Sequence, residues 1–409
     1  MATVAARKHY HDIDAARSVL MFLSVALHSG TVYAPARPWI TDNVDRLAFF
    51  DWLIFGLHLF ITPTFFFVGG FFTVLLLKRR ALGDFLWNRF LRTMVPLLSI
   101  ALTFNMVELY LRYVHGGGTA SPLGWVATDN FAHVWSSGLW QLHLWFLVSL
   151  IPMFFLSGVI DAMLPKDSPV RRMVVRVSQA IGAWLDRSGS LPFAILLIAL
   201  ATINFANYSV AAQVPGAYEP LLPGLQSLYK MVSEAPFFVL GIMAALSPRL
   251  LEGLVRWRGW MPWAAMLAFA VQPYAFPDNS PLEAAGRLFA NQLVMWVLVL
   301  FVLQFFHRYG NFQNARTTWL ADCALSMYLF HHCLVYVLGS LFAGYDWPIF
   351  LEFALVTALA AGIVMAFHEY VVRRVPVVRL LLNGKTDVPE ITARRTGRRA
   401  QVQRGALGS

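Results

Sequence analysis

Apolar residues fill ten stretches of the chain, near 14–34, 49–77, 90–113, 139–160, 191–208, 231–246, 259–275, 288–306, 317–342 and 348–372. A helix that spans a bilayer needs roughly 20 predominantly apolar residues. In hydrocarbon every backbone polar group must be paired within its own segment, so such runs predict helices. The short alternating segments of a membrane barrel are absent from the pattern. The sixth stretch is short and carries Pro236, which makes it the weakest helix signal. No internal repeat is visible, and 161–190 is the longest polar connection. The pattern predicts an all-α polytopic membrane protein. Its single transmembrane domain covers 1–384, and a basic, disordered tail covers 385–409.

Composition agrees, with 58% hydrophobic and 13% charged residues among 409, against about 25% charged in a soluble domain. The 32 lysines and arginines then orient the chain. With the N-terminus in the cytoplasm, only Arg37, Arg46, Arg112, Lys230 and Arg287 fall on the far side, and Arg17 lies within a span. All the others collect at the cytoplasmic ends, which predicts ten spans with both termini cytoplasmic. The formal charge of +10 is mostly this bias plus the tail. It fits attraction to anionic membrane lipids better than nucleic-acid binding, so no nucleic-acid partner is expected. Cys323 and Cys333 are ten residues apart in one run. That is about 15 Å of helical rise, beyond the reach of a disulfide.

Polar groups inside the spans are the informative exceptions, because intramembrane ionisable residues are costly. Arg17 and His28 are eleven positions apart, which is about 20° past three full turns, so they share a helix face about 16 Å apart. Arg17 has two readings, an interfacial arginine paired with Asp14 or one end of a polar path. His28 likewise reads as a packed histidine or as the far end of that path. His331 reaches the same level from the ninth span, and His143 enters the outer half of the fourth. His332 points about 100° away from His331 and reads as structural. No H-E-x-x-H or Cys/His cluster accompanies these histidines, so no metal is expected. At the cytoplasmic side Arg89 and Arg92 are i, i+3 on one face, at the start of the third span. Such a pair suits phosphate. Gly69 and Gly70 permit close helix approach. Glu369 is placed to pair with an arginine or to serve a ligand.

Asp14-x-x-Arg17, ten residues, then His28, followed in order by "FFFVGGFF", "NRFLRTMVP", "HLWFLVSL" and "SMYLFHHCL", resembles the membrane acyltransferase-3 family across roughly 10–385. "HRYGNFQNARTTW", "PFFVLGIMA" and "RRVPVVRLLLNGK" are most similar to members that succinylate osmoregulated periplasmic glucans. Cys333 departs from the pattern, standing where such proteins tend to have proline. The resemblance implies an acyltransferase of the bacterial inner membrane that uses acyl-CoA, most naturally succinyl-CoA, as co-substrate. Arg17, Arg89 and Arg92 would hold the donor's phosphates, and the acyl end would reach His28. His28, with a reference pKa of about 6.5, would serve as general base for a glucosyl hydroxyl. His331 or His143 would orient it or stabilise the oxyanion. Trp140, Trp145 and Trp135 would stack on the sugar or else belong to the interfacial aromatic belt. Other glucan-synthesis proteins are expected partners. The competing classes are an acetyltransferase for another surface polysaccharide, a glucan transporter, and a scaffold subunit.

Overall fold

The computed structural model describes residues 10–36, 39, 45–187, 189–219, 227–271, 280–312 and 314–385. The arginine-rich tail beyond Lys385 lies outside the described residues. The described chain is helical, with no β-strand among its elements. The first half runs α1 His11–Val32, α2 Ala48–His58, α3 Ile61–Leu77, α4 Leu82–Arg89, a π-turn Phe90–Met94, α5 Val95–Ala101 and α6 Phe104–His115. Next come α7 Pro122–Val126, α8 Asp129–Ser136, a 3-10 segment Leu139–Leu144, α9 Trp145–Met163 and α10 Pro169–Leu185. The remainder is α11 Leu191–Gln213, α12 Leu228–Leu246, α13 Pro248–Val255, α14 Met261–Val271, α15 Pro281–Tyr309, α16 Ala315–Phe342, α17 Ile349–Phe367, a second π-turn His368–Val372 and α18 Pro376–Asn383.

Among the described residues nine segments are long and apolar enough to cross a membrane, and Met261–Val271 is a shorter apolar helix. The seventh of the ten apolar stretches corresponds to this shorter helix, and residues 272–279 that follow it lie outside the described residues. His11, at the start of α1, and Lys385 line one pocket. The polar connection at 161–190 is largely helix α10, which packs on α13. There Asp186 accepts from Arg249 at 2.5 Å and Arg256 at 2.6 Å. These two hydrogen bonds hold its carboxyl below the usual range.

Pro236 does not shorten the sixth span, because α12 runs 19 residues through it. A proline frees the carbonyl four residues earlier, here that of Val232. Asn207 Nδ2 on α11 donates to that oxygen at 2.5 Å, so the backbone stays satisfied inside the membrane. A related device shapes the third span. Pro96 would disturb the carbonyl of Arg92, and the chain passes this point as the π-turn Phe90–Met94.

Helix α1 is the central post, packed against α2, α3, α15, α16 and α17. Beside it α3 packs on α12 with the two backbones in close approach. A Cβ on Gly70 would lie 2.0 Å from the Phe238 carbonyl oxygen, and one on Gly241 would lie 2.0 Å from that of Phe67. Glycine is required at both positions, and "FFFVGGFF" and "PFFVLGIMA" are the two halves of one contact. Gly70→Val and Gly241→Val are therefore expected to lower the melting temperature in detergent sharply. Gly362→Val, where nothing lies within 4 Å, should leave it unchanged.

Candidate functional site

Two features of the bundle meet along α1. At its inner level four histidines from three segments converge. The His28 ring lies 5.0 Å from His331, 4.7 Å from His332 and 6.4 Å from His143, centroid to centroid. His143 stacks on His332 at 4.5 Å and stands 5.3 Å from His331. The cluster lies across the face of α16 between the directions of its two histidines, so His332 joins it as well as His331.

Each imidazole is held differently. His331 Nδ1 lies 2.7 Å from the Met327 carbonyl, which requires a proton on that nitrogen. Its Nε2 is buried without a partner. His28 Nδ1 is buried without a partner, as are both ring nitrogens of His143. His332 Nδ1 meets Glu108 Oε2 at 2.8 Å. Glu108 in turn accepts from Arg112 Nη2 at 2.7 Å and Nε at 3.0 Å. A buried carboxylate with two such partners is the arrangement that such a site requires.

His143 does not sit on a regular helix, as the run "WQLHLWFL" predicts. It belongs to the 3-10 segment Leu139–Leu144, where Leu142 has φ 45° and ψ −118°. A non-glycine residue in that region is strained. Backbone broken at membrane depth needs protein partners. Asn105 Nδ2 gives them, donating to Trp140 O at 2.9 Å and Gln141 O at 3.3 Å. Tyr328 donates to His143 O at 2.8 Å.

At the arginine-rich end a cleft of about 580 Å³ collects Arg17, Arg89 and Arg92, with Arg79 and Arg80. Arg17 also bonds Asp14 at 3.1 Å, so the interfacial pairing and the cleft position coexist. Arg89 lies over the Phe154 ring at 4.7 Å, and its Nε has no hydrogen-bond partner. The cleft runs along α1 and α3 to Met21, Phe146 and Tyr328. Tyr328 closes the gap: its ring is 5.4 Å from that of His143. The cleft and the histidine cluster therefore share a wall.

The Asp14–Arg17–His28 spacing thus puts Arg17 in the cleft and His28 in the histidine cluster, on either side of the wall that Tyr328 forms. The profile of the acyltransferase domain family matches residues 10–369. The chain belongs to this acyltransferase-3 family. It is thus a multi-pass membrane acyltransferase. Glucans biosynthesis protein C of Escherichia coli K12 is 26% identical over 402 residues, covering 95% of this chain and 97% of the relative. The same protein from E. coli O1:K1 gives the same values. No solved structure matches significantly.

Other sequence-predicted residues fall differently. Trp140 is 8% exposed and stacks on Trp135 at 5.3 Å. Trp145 carries the Lys230 ammonium on its face at 3.7 Å. Each tryptophan thus has one face already covered. Glu369 accepts from Arg373 at 2.5 Å and from Trp319 Nε1 at 2.7 Å, the plain ion-pair reading. Among the described residues no group of three His, Cys, Asp or Glu side chains has metal-site geometry.

Sequence reasoning missed Glu108, Arg112, Trp39, Tyr328 and Tyr336. The signal for the first was present: Glu108 is the lone acid of an apolar span, with Arg112 at i+4. Trp39 stacks on His28 at 5.5 Å and lies 4.5 Å from His332. Arg112 stands over Trp39 at 4.8 Å and over Tyr336 at 4.6 Å. Trp39 belongs to a connection whose packing no local pattern encodes.

Proposed function

We propose that this protein is an inner-membrane O-acyltransferase that moves an acyl group, succinyl by preference, from cytoplasmic acyl-CoA to glucosyl hydroxyls of periplasmic glucans. The observation that carries the reading is the shared wall between the arginine cleft and the histidine cluster at Tyr328. The similarity to glucans biosynthesis protein C over nearly the full length of both chains supports the acceptor class.

In this reading Arg17, Arg89 and Arg92 bind the donor's phosphates through charge-assisted hydrogen bonds. The pantetheine arm follows α1 for the about 16 Å between Arg17 and His28. The acceptor enters from the other end, past Trp39, Arg112 and Tyr336, since Trp140 is buried and Lys230 covers one face of Trp145. His28 takes the proton of the sugar hydroxyl as the oxygen attacks the thioester carbonyl. His332 keeps Nδ1–H on Glu108 and, when the ring carries both protons, donates Nε2–H to the oxyanion that forms. The tetrahedral intermediate then collapses, expelling the thiolate, which takes the proton back from His28. Transfer is direct. Ser24 donates its hydroxyl to Leu20 O at 3.0 Å, and Ser29 Oγ is buried without a partner, so neither serine has a base to activate it.

Purified protein given succinyl-CoA and glucan should release coenzyme A and add the mass of succinyl to the glucan. Absence of both would overturn the reading. Arg89→Ala is expected to weaken coenzyme A binding about 10- to 100-fold, the range of a charge-assisted hydrogen bond. Titration of the folded variant checks this.

A further inference from the structure

A second cationic pocket stands beside the first. About 770 Å³ of space lies between the starts of α1 and α16, the second π-turn and α18, and Asp14 lines both this pocket and the arginine cleft. Its charged lining is out of balance. Asp322 is approached by Lys385, by Arg379 Nη1 at 3.8 Å, by Arg373 Nε at 4.0 Å and by His368 Nε2 at 3.5 Å. Arg373 is answered by Glu369. Arg379 has only its share of Asp322: its side chain is 7% exposed, and neither Nε nor Nη1 has a hydrogen-bond partner. A buried guanidinium with unmet donors is costly unless an anion completes it.

The pocket is built into the fold. Gly384 adopts φ +59°, and a Cβ there would lie 1.9 Å from Leu91 O and 2.8 Å from Arg92 Cα. That contact ties the end of α18 to the π-turn that carries Arg92. Lys385 follows directly. Burial pushes its ammonium below the usual range, and Arg92 and Arg379 act the same way against the pull of Asp322. The two cation sets are thus neighbours separated by the start of α1.

We infer that Arg379, Lys385 and Arg373 form a phosphate site for the end of the donor remote from the thioester. This rests on the acyl-CoA reading. Coenzyme A carries a pyrophosphate and, on the far side of its ribose, a lone 3′-phosphate. The first fits Arg17, Arg89 and Arg92, and the second fits Arg379, with the adenine beside Trp319. A phospholipid headgroup is the other source of the same chemistry.

The test is binding of coenzyme A and of dephospho-coenzyme A, which lacks only the 3′-phosphate, to the full-length protein in nanodiscs. The wild type should prefer coenzyme A about 10- to 100-fold. Arg379→Gln should remove that preference while leaving dephospho-coenzyme A affinity unchanged, and Lys385→Gln should reduce it, which guards against a folding defect in either variant. Equal wild-type affinity for the two ligands would overturn the 3′-phosphate site and leave the donor reading standing. Failure of the wild type to bind either would overturn both. A preference that survives in Arg379→Gln, together with loss of co-purifying anionic phospholipid, would assign the pocket to a headgroup and overturn the proposal.

Discussion

Replacing Glu108 by glutamine is expected to lower kcat by about 10²–10³-fold, the range for loss of one oxyanion-stabilising group, with coenzyme A affinity unchanged. Glu108 makes no contact with the arginine cleft. It bonds His332 Nδ1 at 2.8 Å and Arg112 at 2.7 Å. A glutamine is nearly the same shape, but its amide NH2 replaces one of the two carboxylate oxygens, so it cannot accept from both His332 and Arg112 in the same geometry. His332 then loses the partner that fixes which nitrogen faces the cluster. The rival account is a folding defect from leaving Arg112 and His332 without their carboxylate partner in the membrane. Melting temperature and donor titration on the same sample separate the two, because a folding defect would move both. Wild-type turnover in Glu108→Gln would remove His332 from the chemistry.

His28→Ala should have the larger effect. Loss of a positioned general base costs about 10²–10⁴-fold. Donor binding should stay near the wild-type value, because His28 lies about three helical turns from Arg17. The cavity left by the ring is bordered by three other imidazoles and Trp39. His28 Nδ1 makes no hydrogen bond, so its removal breaks no polar contact there. A variant that binds coenzyme A normally and turns over normally would leave Arg17 and His28 as structural partners only.

The two sites were legible in the chain to different depths. Apolar run length marked nine of the spans, because the bilayer imposes one length on all of them. The break at Leu142 was not visible, since it is held open by Asn105, thirty-five and thirty-six positions from its partners. The continuity of α12 through Pro236 likewise depends on Asn207 of another helix. Arg17 and His28 could be read from helical periodicity alone. Glu108 and His332 could not be joined, because their contact spans 224 positions. The tryptophans show the same limit: type and depth left Trp140 and Trp145 as sugar platforms or interfacial belt, and did not show that Trp135 and Lys230 each cover one of their faces. Local pattern gives type and depth, and only packing gives the open face.

The central claim is that the acyl group passes through this protein from one membrane face to the other. Proteoliposomes of defined orientation test it directly, with succinyl-CoA supplied only at the arginine-rich face and glucan only at the opposite one. Mass spectrometry then reads the glucan. The account predicts succinylated glucan under these conditions, with the coenzyme A product recovered on the donor side. Succinylation only when donor and glucan share a face would contradict it.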